Sequence, residues 1–249
     1  KVHVFDKIGS TNDYAKEIAD LSCPHIILAD EQTKGRGRMG RSFYSPPAAG
    51  LYMSVVFRPD FEISKAMLIT TISALAVCQA FEEVAGVGPK IKWVNDIYMN
   101  GKKLCGILTE LALEAETGSL QYLVVGIGVN VLQTAEDFST EVAAIATSVA
   151  AELGRPVSRP ALAAALIARL DRLRSALVSG DTEAYLAEYR RRCVNLGKRV
   201  RLLTSDGEES GEALDVDRDF GLVVRKDDGT VTTVRSGEVS VRGLYGYTE

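Results

Sequence analysis

KWVNDIYMNGKKLCGILTE, residues 92–110, places two short apolar runs on either side of Asn100-Gly101. Asn-Gly suits the φ > 0 positions of a two-residue hairpin turn. The stretch therefore predicts two antiparallel strands, residues 90–99 and 103–111, and a third apolar run, residues 121–131, follows. Upstream, residues 2–5, 25–29 and 51–57 read as further strands. Ser10-Thr11-Asn12 precedes Tyr14, Ile18 and Leu21 at i, i+4, i+7 spacing, which is a capped helix start. Residues 64–84 read as a long helix, capped by Ser64 and ended by Gly86 and Gly88. Residues 140–192, rich in Ala, Arg and Leu, predict three helices broken at Gly154-Arg155-Pro156 and Ser179-Gly180-Asp181. Beyond Gly197 the texture changes to short alternating runs separated by Asp206-Gly207, Asp227-Asp228-Gly229 and Ser236-Gly237, the pattern of a small antiparallel barrel. The fold class is α+β: a mixed-sheet domain over residues 1–195, then a small β domain over residues 196–249.

Composition narrows the function. The 249 residues are 46% hydrophobic and 25% charged, with a net charge of −4 from 29 basic and 33 acidic side chains. That is an ordinary globular balance, and it disfavours a whole-surface nucleic-acid binder. Polar residues interrupt the longest apolar run, residues 66–80, short of the ~18 needed to span a bilayer. The opening residues do not read as a signal peptide. Four scattered cysteines (Cys23, Cys78, Cys105, Cys193) and two histidines (His3, His25) offer no CxxC pair. A Cys/His zinc site is thereby disfavoured, and the expectation is reduced thiols in a cytoplasm.

Four stretches carry chemistry. Residues 34–41, KGRGRMGR, hold four cations and no acid. Cations this close call for an anion or for screening water, and glycine lets the backbone approach a ligand. An anion-binding loop stands against a plain solvated basic loop. Gly35, Gly37 and Gly40 match GxGxxG literally, but RSFYSPP follows instead of a helix, which excludes the dinucleotide fold. In KWVNDIYMNGKK, Asn95 and Asp96 are either turn formers or reactive groups, and strand alternation would send them to opposite faces unless a turn intervenes. Lys103 is either a hairpin lysine or an anion ligand. In VVGIGVN, residues 124–130, two glycines weaken a strand: either another backbone packs tightly there or a flat ligand lies on the bare strand. Ser10-Thr11-Asn12 either caps a helix or faces a polar ligand head.

Taken together, STN (10–12), EQTKGRGRMGR (31–41), KWVND…KKLCGILTE (92–110) and VVGIGVN resemble, in order and spacing, the biotin protein ligase family. GEVSVR (237–242) is similar to that family's closing strand. The resemblance spans essentially the whole chain, and the pairing of GRGRxGR with KWxND is its specific part. It implies a mixed-sheet catalytic domain of the biotin/lipoate ligase type with an SH3-like C-terminal domain. It also implies a two-step reaction. Biotin's carboxylate attacks the α-phosphate of Mg-ATP to give biotinyl-5′-AMP and pyrophosphate; a lysine of a biotin carboxyl carrier domain then takes the biotinyl group and releases AMP.

The resemblance assigns Ser10, Thr11, Asn12, Gln32, Gly35, Arg36, Gly37, Arg38, Lys103, Gly106, Gly126 and Gly128 to biotin. It assigns Arg36, Arg38, Arg41, Phe43, Lys92, Asn95, Asp96, Lys103 and Asn130 to ATP or the adenylate. Arg38, Lys103 and Asp96 would be the catalytic groups, Asp96 also the Mg²⁺ ligand, and residues 33–47 would close over the adenylate. Val94 stands where the family usually has proline, and Phe43 where it often has tryptophan. Only nine residues precede Ser10, so the resemblance is to the form without an N-terminal DNA-binding domain, binding neither DNA nor membrane, with a homodimer left open. A lipoate or octanoyl ligase or transferase is the alternative on a related fold. The roles of Arg201 and Arg242 stay open.

Overall fold

A computed structural model describes residues 1–19, 24–58, 66–114, 116–204, 207–235 and 238–241. Seven strands, β1 (Val2–Ile8), β2 (His25–Gln32), β3 (Gly50–Phe57), β4 (Lys90–Lys92), β5 (Asp96–Met99), β6 (Lys102–Leu113) and β7 (Leu120–Asn130), form one sheet in the order β1-β2-β3-β7-β6-β5-β4. Only the β1–β2 pair is parallel. The Asn100-Gly101 turn joins β5 to β6 as its chemistry predicts, with both residues at positive φ.

Strand alternation gives the sheet two differently used faces. On one, α1 (Thr11–Glu17) packs its Ala15 against Ile27, Val56 and Val124. The odd-numbered neighbours Val55, Leu123 and Val125 face the main core, where α2 (Ala66–Ala85) and α5 (Arg159–Ser179) pack on each other. By length and composition Leu68–Ala85 would pass for a membrane span, longer than the sequence suggested; 78% of it is buried inside the fold, as befits a core helix. Ser64, the expected cap, lies outside the described residues, as do Leu21, Cys23 and Arg242. Cys78, Cys105 and Cys193 are buried free thiols.

Two sequence expectations need correction. Residues 90–99 are not one strand: they split into β4 and β5 around a turn at residues 93–95. Residues 140–153 are not one helix but two, α3 (Thr140–Ile145) and α4 (Val149–Leu153). Between them the chain is extended so that Ala146 can bridge Lys103 and the Thr147 N–H can donate to the Lys103 carbonyl at 3.0 Å. Ser148 then restarts the helix by capping the Ala151 N–H at 3.1 Å.

After α6 (Glu183–Arg192), β8 (Arg199–Thr204), β9 (Gly207–Val216), β10 (Leu222–Lys226), β11 (Val231–Val234) and β12 (Glu238–Val241) build a small SH3-like antiparallel sheet in the order β11-β10-β9-β8-β12. It is docked firmly onto the first sheet. The Trp93 indole N–H donates to the Phe220 carbonyl at 2.9 Å, the Trp93 main-chain N–H donates to Asn195 Oδ1 at 2.8 Å, and Tyr189 meets Phe220 edge-on. The turn at residues 93–95 is thus braced from the C-terminal side.

Candidate active site

The even-numbered residues of β3, β6 and β7 on the α1 face include Ser54, Gly106, Leu108, Glu110, Gly126 and Gly128, brought into register by Ser54↔Gly126, Gly126↔Leu108 and Gly128↔Gly106. Above them lies a cavity of about 560 Å³, walled by the start of α1, the glycine–arginine loop, the 93–95 turn and residues 138–146. That volume is typical of small-molecule sites.

One end of the cavity is a hydrogen-bonded polar floor. Ser10 caps α1, its oxygen accepting from the Asp13 N–H at 3.4 Å. Gln32 Oε1 accepts from both the main-chain N–H and the hydroxyl of Thr11, at 2.8 and 3.0 Å. The buried Ser54 hydroxyl lies 2.7 Å from Thr11 Oγ1 and 2.6 Å from Asn12 Oδ1. Asn12 Nδ2 donates to Glu110 Oε2 at 2.8 Å, and Lys16 pairs with the other Glu110 oxygen at 2.6 Å. Burial alone would raise the Glu110 pKa, but the hydrogen bonds from Lys16 and Asn12 and the charges of Lys16 and Arg36 outweigh it and leave the carboxyl below its ordinary value.

The glycine strip is covered by side chains. A Cβ on Gly126 would sit 2.2 Å from Asn12 Oδ1; one on Gly128 would sit 2.6 Å from the Phe43 ring; one on Gly106 would sit 3.1 Å from the end of Lys103. The tight packing is therefore with the side chains of Asn12, Phe43 and Lys103, not with another backbone as the sequence suggested. Gly126 makes room for Asn12 while still lining the cavity, whereas over Gly128 and Gly106 the covering groups are long side chains able to move.

The other end is cationic. Lys103 pairs with Asp96 at 2.7 Å, and Arg38 donates to Asn95 Oδ1 at 3.0 Å. Asn95 is itself fixed to β6 by its Nδ2 on the Ile107 carbonyl at 2.8 Å. Arg36 reaches Asp13 and lies 3.8 Å from Glu110. Lys92 lines the cavity although it is only 6% exposed. Arg41 stands exposed at the rim. The loop that carries these arginines is a miniature hairpin, with Arg36 bridging Ser42 and the Gly37 N–H donating to the Arg41 carbonyl at 2.7 Å.

Residues 4–130 match the biotin/lipoate A/B protein ligase family, and residues 196–242 match the biotin protein ligase C-terminal domain. The chain belongs to the biotin protein ligases of that family. The chain is 36% identical over 227 residues to the bifunctional ligase/repressor BirA of Bacillus subtilis, covering 90% of this chain and 69% of the relative. It is 30% identical over 219 residues to the biotin–[acetyl-CoA-carboxylase] ligase of Mycobacterium tuberculosis, covering 86% of this chain and 77% of the relative. Its fold superposes on the biotin protein ligase of Aquifex aeolicus solved with biotin and ATP, with a TM-score of 0.84, 28% identity, and coverage of 97% of this chain and 98% of that one.

Of the residues that the ligase motifs single out, all but one line this single cavity. The exception, Gly35, lies at the base of the loop, where a Cβ would come within 2.4 Å of the Phe43 carbonyl oxygen and 2.6 Å of Ser45 Oγ. Asn130 lines the cavity while its amide ties neighbouring turns together, donating to the Thr147 carbonyl at 3.1 Å and accepting from Gln133 at 3.3 Å. Arg201 pairs with Glu208 at 3.2 Å and is not among the lining residues. Motif reading missed the polar partners Ser45, Ser54 and Glu110. It also missed the apolar wall of Phe138, Val142 and Ile145, of which Val142 and Ile145 fall in the stretch read simply as helix and Phe138 precedes it.

Among the described residues no three His, Cys, Asp or Glu side chains come together to hold a metal. Among the described residues Asp96 is the one carboxylate lining the cavity, and it is already paired with Lys103. Mg²⁺ commonly binds through one or two carboxylates plus substrate phosphates. The residues here fit a Mg²⁺ delivered on the triphosphate as Mg-ATP and do not form a resident cage.

Proposed function

We propose that this ligase activates biotin with Mg-ATP and transfers the biotinyl group to a lysine amine on the carboxyl carrier domain of a carboxylase, and that the residues above divide the work as follows. The observation that carries the reading is a donor–acceptor count at the polar floor. Thr11 spends its hydrogens on Gln32, and Asn12 spends its amide hydrogens on Glu110 and the Leu108 carbonyl. What remains for a ligand includes one Gln32 amide hydrogen, the Ser10 hydroxyl hydrogen and a lone pair of Asn12 Oδ1. A ureido group needs that complement: donors for its carbonyl and an acceptor for an N–H. The dithiolane of lipoate would leave all three unpaired, at ~1–3 kcal/mol for each buried group, and this favours biotin over the lipoate alternative.

At the cationic end, two anions must meet. Carboxylate and triphosphate repel each other, and guanidinium and ammonium groups offset that repulsion while stabilising charge on the α-phosphate oxygens. In our reading Arg38 and Lys103 bridge the biotin carboxylate and the α-phosphate, while Arg36, Arg41 and Lys92 take the remaining phosphate charge. Asp96 aligns Lys103 and meets the magnesium that the nucleotide brings; Asn95 aligns Arg38. The carboxylate oxygen attacks phosphorus and pyrophosphate leaves. The carrier amine then attacks the acyl carbon, AMP leaves, and the amine loses a proton. Phe43 and the loop cover the anhydride against water.

Residues 1–195 form the catalytic domain in this reading, and residues 196–249 the C-terminal domain that braces Trp93. The compartment we infer is the cytoplasm, in keeping with three buried free thiols. A homodimer and the lack of DNA binding by these 249 residues complete the reading, and sedimentation and gel retardation test them. The function itself is tested by incubating the protein with biotin, Mg-ATP and a carrier domain. Mass spectrometry should find one biotinylated lysine. No acylation while a control ligase succeeds, or lipoylation in preference, would refute it.

A further inference from the structure

Glu110 closes the ligase-like stretch on β6 but is not among the residues that line the cavity. It stands one layer behind, and its two carboxylate oxygens face different partners. Oε2 accepts from Asn12 Nδ2 at 2.8 Å, and Oε1 accepts from Lys16 Nζ at 2.6 Å. Arg36 lies 3.8 Å from Oε1, and Asp13 on α1 shares both cations. Among the described residues these are the charged side chains gathered around it. An ionised carboxylate only accepts hydrogen bonds, whereas an Asn amide accepts at one end and donates at the other. Facing Glu110, Asn12 has to present Nδ2 and leave Oδ1 for Ser54 and the cavity. The Ser54 hydroxyl, 2.6 Å from Oδ1, does not enforce this setting, since a hydroxyl can donate or accept. The Leu108 carbonyl favours the same setting, but from 3.5 Å, where a hydrogen bond is weak. Glu110 is the partner that decides it.

We infer that Glu110 is a positioning residue: held as an anion by Lys16, it locks the Asn12 amide in the setting that offers its oxygen, and so selects a ligand that presents an N–H there. The inference rests on the proposed biotin reading, in which a ureido N–H meets Asn12 Oδ1. With Asn12 turned over, its NH2 would face the ureido N–H, donor against donor, and biotin affinity should fall on the order of tenfold. The charge makes the lock one-way. Burial is the largest influence on Glu110 and acts to raise its pKa, but the hydrogen bonds from Lys16 and Asn12 and the charges of Lys16 and Arg36 outweigh it. Without Lys16 the balance moves toward burial and the carboxyl keeps its proton to higher pH. A protonated carboxyl can donate to Asn12 as well as accept from it, and the lock opens.

Calorimetry of biotin binding between about pH 5 and pH 8, on the wild type, Lys16→Met, Glu110→Gln and the double variant, tests this. Lys16→Met should bind biotin nearly as well as the wild type at the alkaline end and lose affinity relative to it as the pH falls, because Glu110 then takes up a proton. In Glu110→Gln, Lys16 claims the amide oxygen, the new NH2 turns to Asn12, and Asn12 turns over. Affinity should drop on the order of tenfold with no added pH dependence. In the double variant the Gln oxygen is free to accept from Asn12, so most of that loss should be recovered and the pH step should vanish. A merely structural or charge-balancing role makes the double variant the weakest instead. Wild-type affinity in Glu110→Gln, a double variant weaker than Glu110→Gln, or the same pH profile for the wild type and Lys16→Met would each overturn the inference. Lys16 is a third exposed, so Lys16→Met carries the test alone if Glu110→Gln does not fold. A wild-type protein that does not bind biotin at all would instead remove the underlying functional reading.

Discussion

Adding a single methyl at Gly126 should unseat the polar floor from beneath. In Gly126→Ala the new Cβ would lie 2.2 Å from Asn12 Oδ1, 2.8 Å from its Cγ and 2.9 Å from its Nδ2. β7 is central in its sheet and cannot yield, so the Asn12 amide must leave. It then gives up the bond with the fully buried Ser54 at 2.6 Å and that with Glu110 at 2.8 Å. Ser54 keeps Thr11 and Glu110 keeps Lys16, so the loss of the two bonds amounts to roughly 1–3 kcal/mol. For a chain of this size that lowers Tm by roughly 2–12 °C. Biotin affinity should fall by at least ~30-fold, since Asn12 Oδ1 is the acceptor assigned to the ureido N–H. Gly128→Ala is the control. The nearest atoms to its Cβ belong to the Phe43 ring, which can swing with its loop, so Tm should move by less than about 3 °C while nucleotide retention suffers. Calorimetric melting and biotin titration read both variants. A Gly126→Ala protein as stable as the wild type and with unchanged biotin affinity would refute the account of the floor.

Other perturbations have equally definite outcomes. Lys103→Met removes the cation beside Asp96 and should lower the rate of adenylate formation by about 100-fold or more with Tm nearly unchanged; single-turnover kinetics measure it. Trp93→Phe deletes the bond to the Phe220 carbonyl between the two sheets and should cost about 1–2 kcal/mol in urea unfolding, with KM for ATP raised because the 93–95 turn loosens. Arg192→Ala leaves Glu82 and Glu188, now 2.8 and 2.6 Å from the guanidinium, without their cation. The loss should be about 2–3 kcal/mol, less than for a fully buried pair because Glu82 keeps contact with water. His25 is held below its ordinary pKa by burial first and then by His3, the N-terminal ammonium and Lys1. The unfolded chain therefore binds a proton more readily, and its contribution, complete above about pH 6.5, fades as the pH falls from there toward the lower folded-state value. Melting curves across pH 5–8 should show that slope, and His25→Gln should flatten it.

Much of this was legible in the sequence because it is local. Asn100-Gly101 forced a hairpin, Ser10 capped a helix, and a cation cluster without an acid called for an anion. What was not legible depends on contacts between distant residues. Asn12 and Glu110 are 98 positions apart, and nothing in either neighbourhood announces the bond that makes Gly126 necessary. Ser54 and Ser45 are single serines in apolar or proline-rich surroundings, where a lone hydroxyl has no periodicity to betray it. The split of residues 140–153 into two helices has the same origin. Local propensity favours one continuous helix, and the demand of the Lys103 strand for a main-chain partner overrides it at residues 146–147.

The chemistry can be isolated from every question about the carrier by following exchange of labelled pyrophosphate into ATP with no carrier present. With biotin the protein should catalyse exchange, because the reversible formation of biotinyl-5′-AMP needs only the cavity, and with lipoate it should not. Exchange that is absent with biotin, or that lipoate supports equally well, would contradict the assignment of the polar floor to a ureido ring and of the cationic end to the meeting of a carboxylate with a triphosphate.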